Sequence, residues 1–164
     1  MNEGQLRTEG DRCGVRFERR YEATPEELWS ALTEPERLTR WLANVAELEL
    51  RPGGRFLLVW QEDGQQTDGT VLDLEPGRVL ELGWTYPDEP ESAVRFELRA
   101  DGDGTVLVLD HRGLPPRAIA GYGAGWHSHL DSLDAHLAGG RADWSARFQE
   151  LGPAYEQQAE AVTG

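Results

Sequence analysis

Residues 121–140 read GYGAGWHSHLDSLDAHLAGG, and the fold of the chain turns on whether this stretch is a metal or catalytic site or the buried face of a helix. It carries three histidines, His127, His129 and His136. On a helix His127 and His129 point about 200° apart, and His129 and His136 are separated by about 10 Å along the axis, so neither pair can clamp one ion. There is no HExxH and no acidic third ligand at useful spacing, so no metal is expected. The apolar residues are the regular ones. Trp126, Leu130, Leu133 and Leu137 share a narrow sector, with Tyr122 close by. Pro115-Pro116 and Gly139-Gly140 bound a helix over residues 118–138, the longest expected in the chain. His127 and Asp131, four residues apart, suit a surface pair; His129 sits at the edge of the stripe, aimed into a cavity or out to solvent.

Such a stripe needs an apolar partner, and the preceding chain supplies it. From Val45 to His111 apolar residues alternate with period two, between turn signals at Pro52-Gly53-Gly54, Asp63-Gly64, Pro76-Gly77, Pro87-Asp88 and 101–104. Strands are expected over 45–50, 54–61, 67–74, 79–86, 92–99 and 104–111, after a first strand at 14–21, which makes about seven in an antiparallel meander. One face is bulky: Phe56, Leu58 and Trp60; Leu80, Leu82 and Trp84; Val94, Phe96 and Leu98; Leu107, Leu109 and His111. The other carries Arg55, Glu81, Arg95, Glu97, Arg99 and Asp110 and reads as wet. Between strand one and the meander, Thr24-Pro25-Glu26-Glu27 starts a helix running to about Thr33, and Pro35 starts a second short one with Leu38, Trp41 and Leu42 on its apolar side. The result is an α+β fold, a curved antiparallel sheet wrapped around a long C-terminal helix. Residues 1–13 read as a flexible lead-in, 14–140 as the domain, and 141–164 as a C-terminal helical appendage with a break at Gly152-Pro153.

In this order the pieces resemble the START-like, or SRPBCC, helix-grip superfamily, in the branch similar to the C-terminal domain of activators of the heat-shock protein 90 ATPase. ATPEELWSALTEPERLTRWLA, RPGGRFLLVW, LDLEPGRVLELGW, LVLDHRGLP and GWHSHLDSLDAHL carry the likeness across most of residues 14–140. The resemblance implies a cavity between sheet and long helix that binds hydrophobic small molecules in many relatives; a minority of relatives are enzymes such as polyketide cyclases. The N-terminal domain that eukaryotic activators use for chaperone stimulation has no counterpart in this sequence.

Composition narrows the chemistry. Thirty acidic residues against sixteen basic ones give a net charge of -14, which repels nucleic acid. All sixteen basic residues are arginine, so Schiff-base and P-loop lysines are absent. Cys13 is the lone cysteine and can form no internal disulfide. No apolar run reaches the roughly 18 residues that span a bilayer, and the N-terminus lacks a signal-peptide pattern, so a cytoplasmic protein without membrane contact is expected. Gly121, Gly123 and Gly125 do not complete GxGxxG, and residues 101–112 end in Arg112 where a calcium loop needs Glu.

The expected function is the binding of a small hydrophobic or aromatic molecule by a non-enzymatic domain, with no cofactor. The expected lining is Trp41, Phe56, Leu58, Trp60, Leu82, Trp84, Phe96, Leu109, His111, Tyr122, Trp126, His129, Leu130 and Leu133. Packing into a filled core is the competing reading for the same aromatic residues. The alternatives are a cyclase-like enzyme with His111 as acid or base and His129 or Tyr86 assisting, and a protein-interaction module that contacts a chaperone or a second copy of the chain. His111, inward-facing at the end of an apolar strand, requires a hydrogen-bond partner, either a ligand or the protein itself through backbone or Tyr122.

Overall fold

The computed structural model describes residues 3–164. Eight strands form one antiparallel sheet: β1 (Gln5–Glu9), β2 (Arg12–Tyr21), β3 (Asn44–Leu48), β4 (Arg55–Val59), β5 (Gln66–Glu75), β6 (Val79–Trp84), β7 (Ser92–Asp101) and β8 (Gly104–Leu114). Their spatial order is β1-β2-β8-β7-β6-β5-β4-β3, so β2 crosses to pair with the last strand while β3 to β8 form the expected meander. The count exceeds the expected seven by one. The extra strand is β1, which occupies part of the supposed flexible lead-in and pairs with β2 through a tight turn at Gly10, whose φ of +64° suits glycine.

Helix α1 (Pro25–Thr33) starts as its sequence dictates: Thr24 Oγ1 accepts from the Glu27 backbone N–H at 3.2 Å and Pro25 fills the first turn. The Glu27 carboxylate does not return to the cap but pairs with Arg37 of α2 (Pro35–Trp41) at 2.8 Å. Leu28, Leu32, Leu38 and Trp41 bury the apolar sides of both helices, and the Trp41 indole N–H donates to the Ala31 carbonyl at 2.8 Å.

Helix α3 (Ile119–Leu137) follows a short 3-10 turn and lies in the concave face of the sheet. Trp126, Leu130 and Leu133 are buried there, and the Tyr21 hydroxyl donates to the Leu130 carbonyl at 3.0 Å, tying β2 to the helix. The bulky strand face is the core: Phe56, Leu58, Leu80, Leu82, Trp84, Val94, Phe96, Leu98, Leu107, Leu109 and His111 are all buried. At roughly 1.5–3 kcal/mol for each large side chain removed from water, this face holds the fold together.

Two expectations need correction. Residues 144–163 form one continuous helix, α4, with Pro153 inside it. The missing N–H removes one bond, but Gly152 offers no Cβ to crowd the proline ring, and packing against α3 holds both halves. This helical appendage is tied to the N-terminal end of the domain. The Tyr155 hydroxyl accepts from the Gly4 N–H and meets His127 Nδ1, both at 2.7 Å, while the Gln158 carboxamide takes the Leu6 N–H at 2.6 Å and donates to the Gly4 carbonyl at 3.1 Å. The C-terminal helix thus covers the open edge of β1. Lastly, Glu81, read as wet, is largely buried on the convex face, where Arg95 (3.1 Å) and Arg112 (2.8 Å) hold its carboxyl below the usual range.

Candidate functional site

Where α3 leaves the ends of β4 and β6, the sheet and helix do not close on each other. An open cavity of about 200 Å³ remains, lined by Trp60, Trp84, Tyr86, Tyr122, Gly125, Trp126, His129 and Trp144, with Glu62, Asp63 and Glu89 also in its wall. Glu62 and Asp63 belong to the β4–β5 hairpin, Tyr86 and Glu89 to the β6–β7 loop, and Trp144 to the first turn of α4. The ring pairs Trp60–Trp84, Trp84–Trp126 and Trp60–His129 have centroids 5.8, 5.6 and 5.5 Å apart, and Trp144 lies 5.0 Å from His129. These are ordinary aromatic packing distances, so the rings of the wall pack against one another.

Each indole N–H around the cavity already has a partner. Trp60 donates to Thr67 Oγ1 (2.8 Å), Trp84 to the Tyr122 hydroxyl (3.3 Å), Trp126 to His111 Nδ1 (3.0 Å) and Trp144 to the Gly125 carbonyl (3.3 Å). The Tyr122 hydroxyl donates to Glu89 at 2.7 Å and that of Tyr86 to Asp63 at 2.6 Å. Burial and the carboxylate at each phenol raise both tyrosines, Tyr86 to about 12, so both stay protonated near neutrality. What remains on offer is ring faces and acceptor oxygens.

His129 adds one more acceptor. Its Nδ1 sits 3.2 Å from the Trp41 carbonyl, and a carbonyl only accepts, so Nδ1 carries the proton. Burial drives its pKa down to about 4 against the raising effect of that carbonyl, and the ring is neutral at pH 7. Nε2 then holds a bare lone pair with no hydrogen-bond partner among the described residues, although the residue is only 5% exposed. No buried side-chain nitrogen or oxygen among the described residues lacks a partner, so this atom reaches accessible space. That space is the cavity and the adjoining cleft that shares His129, Trp144 and Glu62 with it. His129 does not snorkel to bulk solvent.

His111 is placed differently from what its inward position suggested. It is fully buried behind Trp84, Tyr122 and Trp126, at ring distances of 5.3, 4.9 and 6.1 Å, and does not line the cavity. Its partners are Trp126 at Nδ1 and the Ser92 hydroxyl at Nε2 (2.8 Å), neither backbone nor the Tyr122 hydroxyl. Burial, and secondarily Arg112, push its pKa down to about 3. Both ring nitrogens are thus engaged within the protein and the ring is neutral near pH 7, the arrangement of a structural histidine.

Of the expected lining, Trp60, Trp84, Tyr122, Trp126 and His129 meet at the cavity, together with Tyr86. Trp41, Phe56, Leu58, Leu82 and Phe96 surround a void of about 30 Å³ with room for little more than a water molecule, and Leu109, Leu130 and Leu133 are solid core. Sequence reasoning missed Trp144, Gly125 and the three carboxylates. Trp144 was visible only as the apolar face of the last helix, and the acidic residues sat among the turn signals. His127, expected at the surface, is buried; its Nε2 is 3.7 Å from Asp131, which Arg19 (2.7 Å) and Arg147 (2.8 Å) also hold. Among the described residues no group of three or more His, Cys, Asp or Glu side chains could hold a metal ion, and no helix is long and apolar enough to cross a membrane.

Comparison with known proteins sets this geometry among relatives. The family model described as Activator of Hsp90 ATPase homolog 1-like protein matches residues 22–138. The crystal structure of CalU16 from Micromonospora echinospora is 32% identical and superposes with a TM-score of 0.81 over 96% of this chain and 97% of that one. DynU16, from the dynemicin biosynthetic locus, is 27% identical with a TM-score of 0.70, covering 78% of this chain and 48% of its own. The mouse Activator of 90 kDa heat shock protein ATPase homolog 1 is 26% identical over 120 residues. Those residues are 71% of this chain but 34% of the mouse protein, so the chain matches about a third of that curated relative.

Proposed function

This chain belongs to the family of Activator of Hsp90 ATPase homolog 1-like proteins, and on that premise we propose that it binds a small hydrophobic, ring-bearing molecule in the cavity between α3 and the ends of β4 and β6. One observation carries the reading: tryptophan, tyrosine and histidine rings from the sheet, α3 and α4 enclose a space that no side chain fills. Its size, about 200 Å³, falls below the roughly 300–1,000 Å³ of drug-sized sites, and its mouth is open. A ligand with one or two rings fits inside, and a larger one leaves part of itself in solvent.

Binding suits the site better than acid–base catalysis. A general acid or base works best with a pKa near the operating pH, whereas His129 is depressed and the two phenols are raised. Tryptophan fluorescence titrated with N-phenyl-1-naphthylamine, a neutral aromatic probe, tests the reading. Saturable quenching at one site is expected, lost in a Gly125→Leu variant whose side chain occupies the cavity. An unquenched wild type, or a Gly125→Leu variant that binds equally well, overturns it.

A further inference from the structure

Resting on that reading, we infer that the natural ligand carries a protonated amine beside its apolar rings, and that the mouth of the cavity selects for positive charge. The inventory of polar groups points there. The indole and phenol protons around the cavity are engaged within the protein. What faces the space is the bare Nε2 lone pair of buried His129, the carboxylates of Glu62, Asp63 and Glu89, and ring faces. A ligand that only accepts hydrogen bonds finds no side-chain donor there, and an anion meets three carboxylates at close quarters. An ammonium group satisfies the set: it donates to His129 Nε2 or a carboxylate and is attracted by the indole faces.

Among the described residues no cationic side chain forms an ion pair with Glu62, Asp63 or Glu89. Most arginines of the chain are matched to carboxylates elsewhere, such as Glu81, Asp131 and Asp110. Arg40 and Arg141 line the adjoining cleft with Glu62, and Arg117 reaches the Asp88 carbonyl. None of the three forms an ion pair with Glu62, Asp63 or Glu89. The net charge of -14 adds a long-range field that steers a cation toward the protein and an anion away.

Three probes sharing one ring system test this on the full chain: 2-naphthylmethylamine, protonated at pH 7; 2-naphthylmethanol, neutral; and 2-naphthoate, anionic. Dissociation constants from tryptophan quenching are expected to favour the amine over the alcohol by about tenfold, with the naphthoate weakest. In a Glu62→Gln/Glu89→Gln variant the amine loses more affinity than the alcohol and the amine-to-alcohol ratio falls toward one, and the carboxamide oxygen introduced at position 89 can still accept from Tyr122, which keeps the wall in place. An alcohol that binds as well as the amine, or a ratio untouched by the double substitution, overturns the selectivity and leaves the cavity reading standing. If none of the three binds, both fall.

Discussion

The Trp126 indole N–H donates to Nδ1 of His111 across 3.0 Å, from the long helix to the last strand. An indole nitrogen has no lone pair to accept with, so this bond fixes the imidazole as the Nε2–H tautomer. That N–H in turn donates to Ser92 Oγ at 2.8 Å. One hydrogen bond thereby converts the residue that looked most like a catalytic base into a buried strut between β7, β8 and α3.

The strut is measurable. Imidazole nitrogen shifts should show His111 as a neutral Nε2–H ring down to pH 5, as a pKa near 3 demands. Replacing Ser92 by alanine leaves the Nε2–H without an acceptor in the core and should cost about 1–3 kcal/mol in urea unfolding. A His111 that titrates near pH 6.5 would refute the assignment.

Acid should weaken the fold earlier than carboxylate titration explains. His111 and His129 are held neutral, with folded pKa values of about 3 and 4 against about 6.5 in an unfolded chain. Below pH 6.5 the unfolded chain therefore binds more protons than the folded one. Their contribution is complete above pH 6.5 and is lost as pH falls toward 4, at up to roughly 1.4 kcal/mol per pH unit for each histidine. Glu81 and Asp131, whose pKa values are lowered, begin to lose theirs only as pH falls into the usual carboxylate range, and go on losing it below that range. Melting temperatures should decline steadily between pH 6.5 and 4.5; a flat profile across that window would mean the histidines are hydrated.

The parts legible in the sequence are those whose cause is local and repeats. The stripe Trp126, Leu130, Leu133 recurs over several turns of α3, and Leu80, Leu82 and Trp84 of β6, Val94, Phe96 and Leu98 of β7 and Leu107, Leu109 and His111 of β8 fall at every second position, so both elements and the face they share could be read directly. Strand β1 has one buried apolar residue, Leu6; much of what holds it comes from Tyr155 and Gln158, about 150 residues away. Glu81 is buried because strand register sets Arg95 opposite it and Arg112 reaches across. At the site, aromatic residues could be named but not sorted into wall and core. Which of them border empty space depends on how far the loop at 85–91 and the start of α4 stand off from α3, and no periodicity records that.

The bond between the two ends of the chain predicts a local loosening. Tyr155→Phe leaves the Gly4 N–H and His127 Nδ1 without their shared partner. A loss of about 1–3 kcal/mol is expected. Amide exchange should accelerate first in Gln5–Glu9, ahead of β7 and β8. Uniform exchange, or unchanged stability, would contradict the role given to α4.

Two glycines close together on α3 should respond oppositely to alanine. At Gly123 a Cβ would stand 2.5 Å from Cδ1 and 3.0 Å from Cε1 of Tyr155, whose ring is pinned by Gly4 and His127 and has no room to retreat. Gly123→Ala should therefore destabilise by about 1–3 kcal/mol, the usual cost of overpacking, outweighing the gain in helix propensity. At Gly125 the nearest atoms are Trp144 Cζ2 at 3.9 Å and Phe148 Cε1 at 4.0 Å, ordinary contact distances. Gly125→Ala keeps the propensity gain of up to about 1 kcal/mol and should raise the unfolding midpoint. The added methyl also points at the cavity wall, so the same variant should bind N-phenyl-1-naphthylamine more weakly. A stabilised Gly123→Ala, or a Gly125→Ala that melts lower than the parent, would show that α3 and α4 do not pack as described.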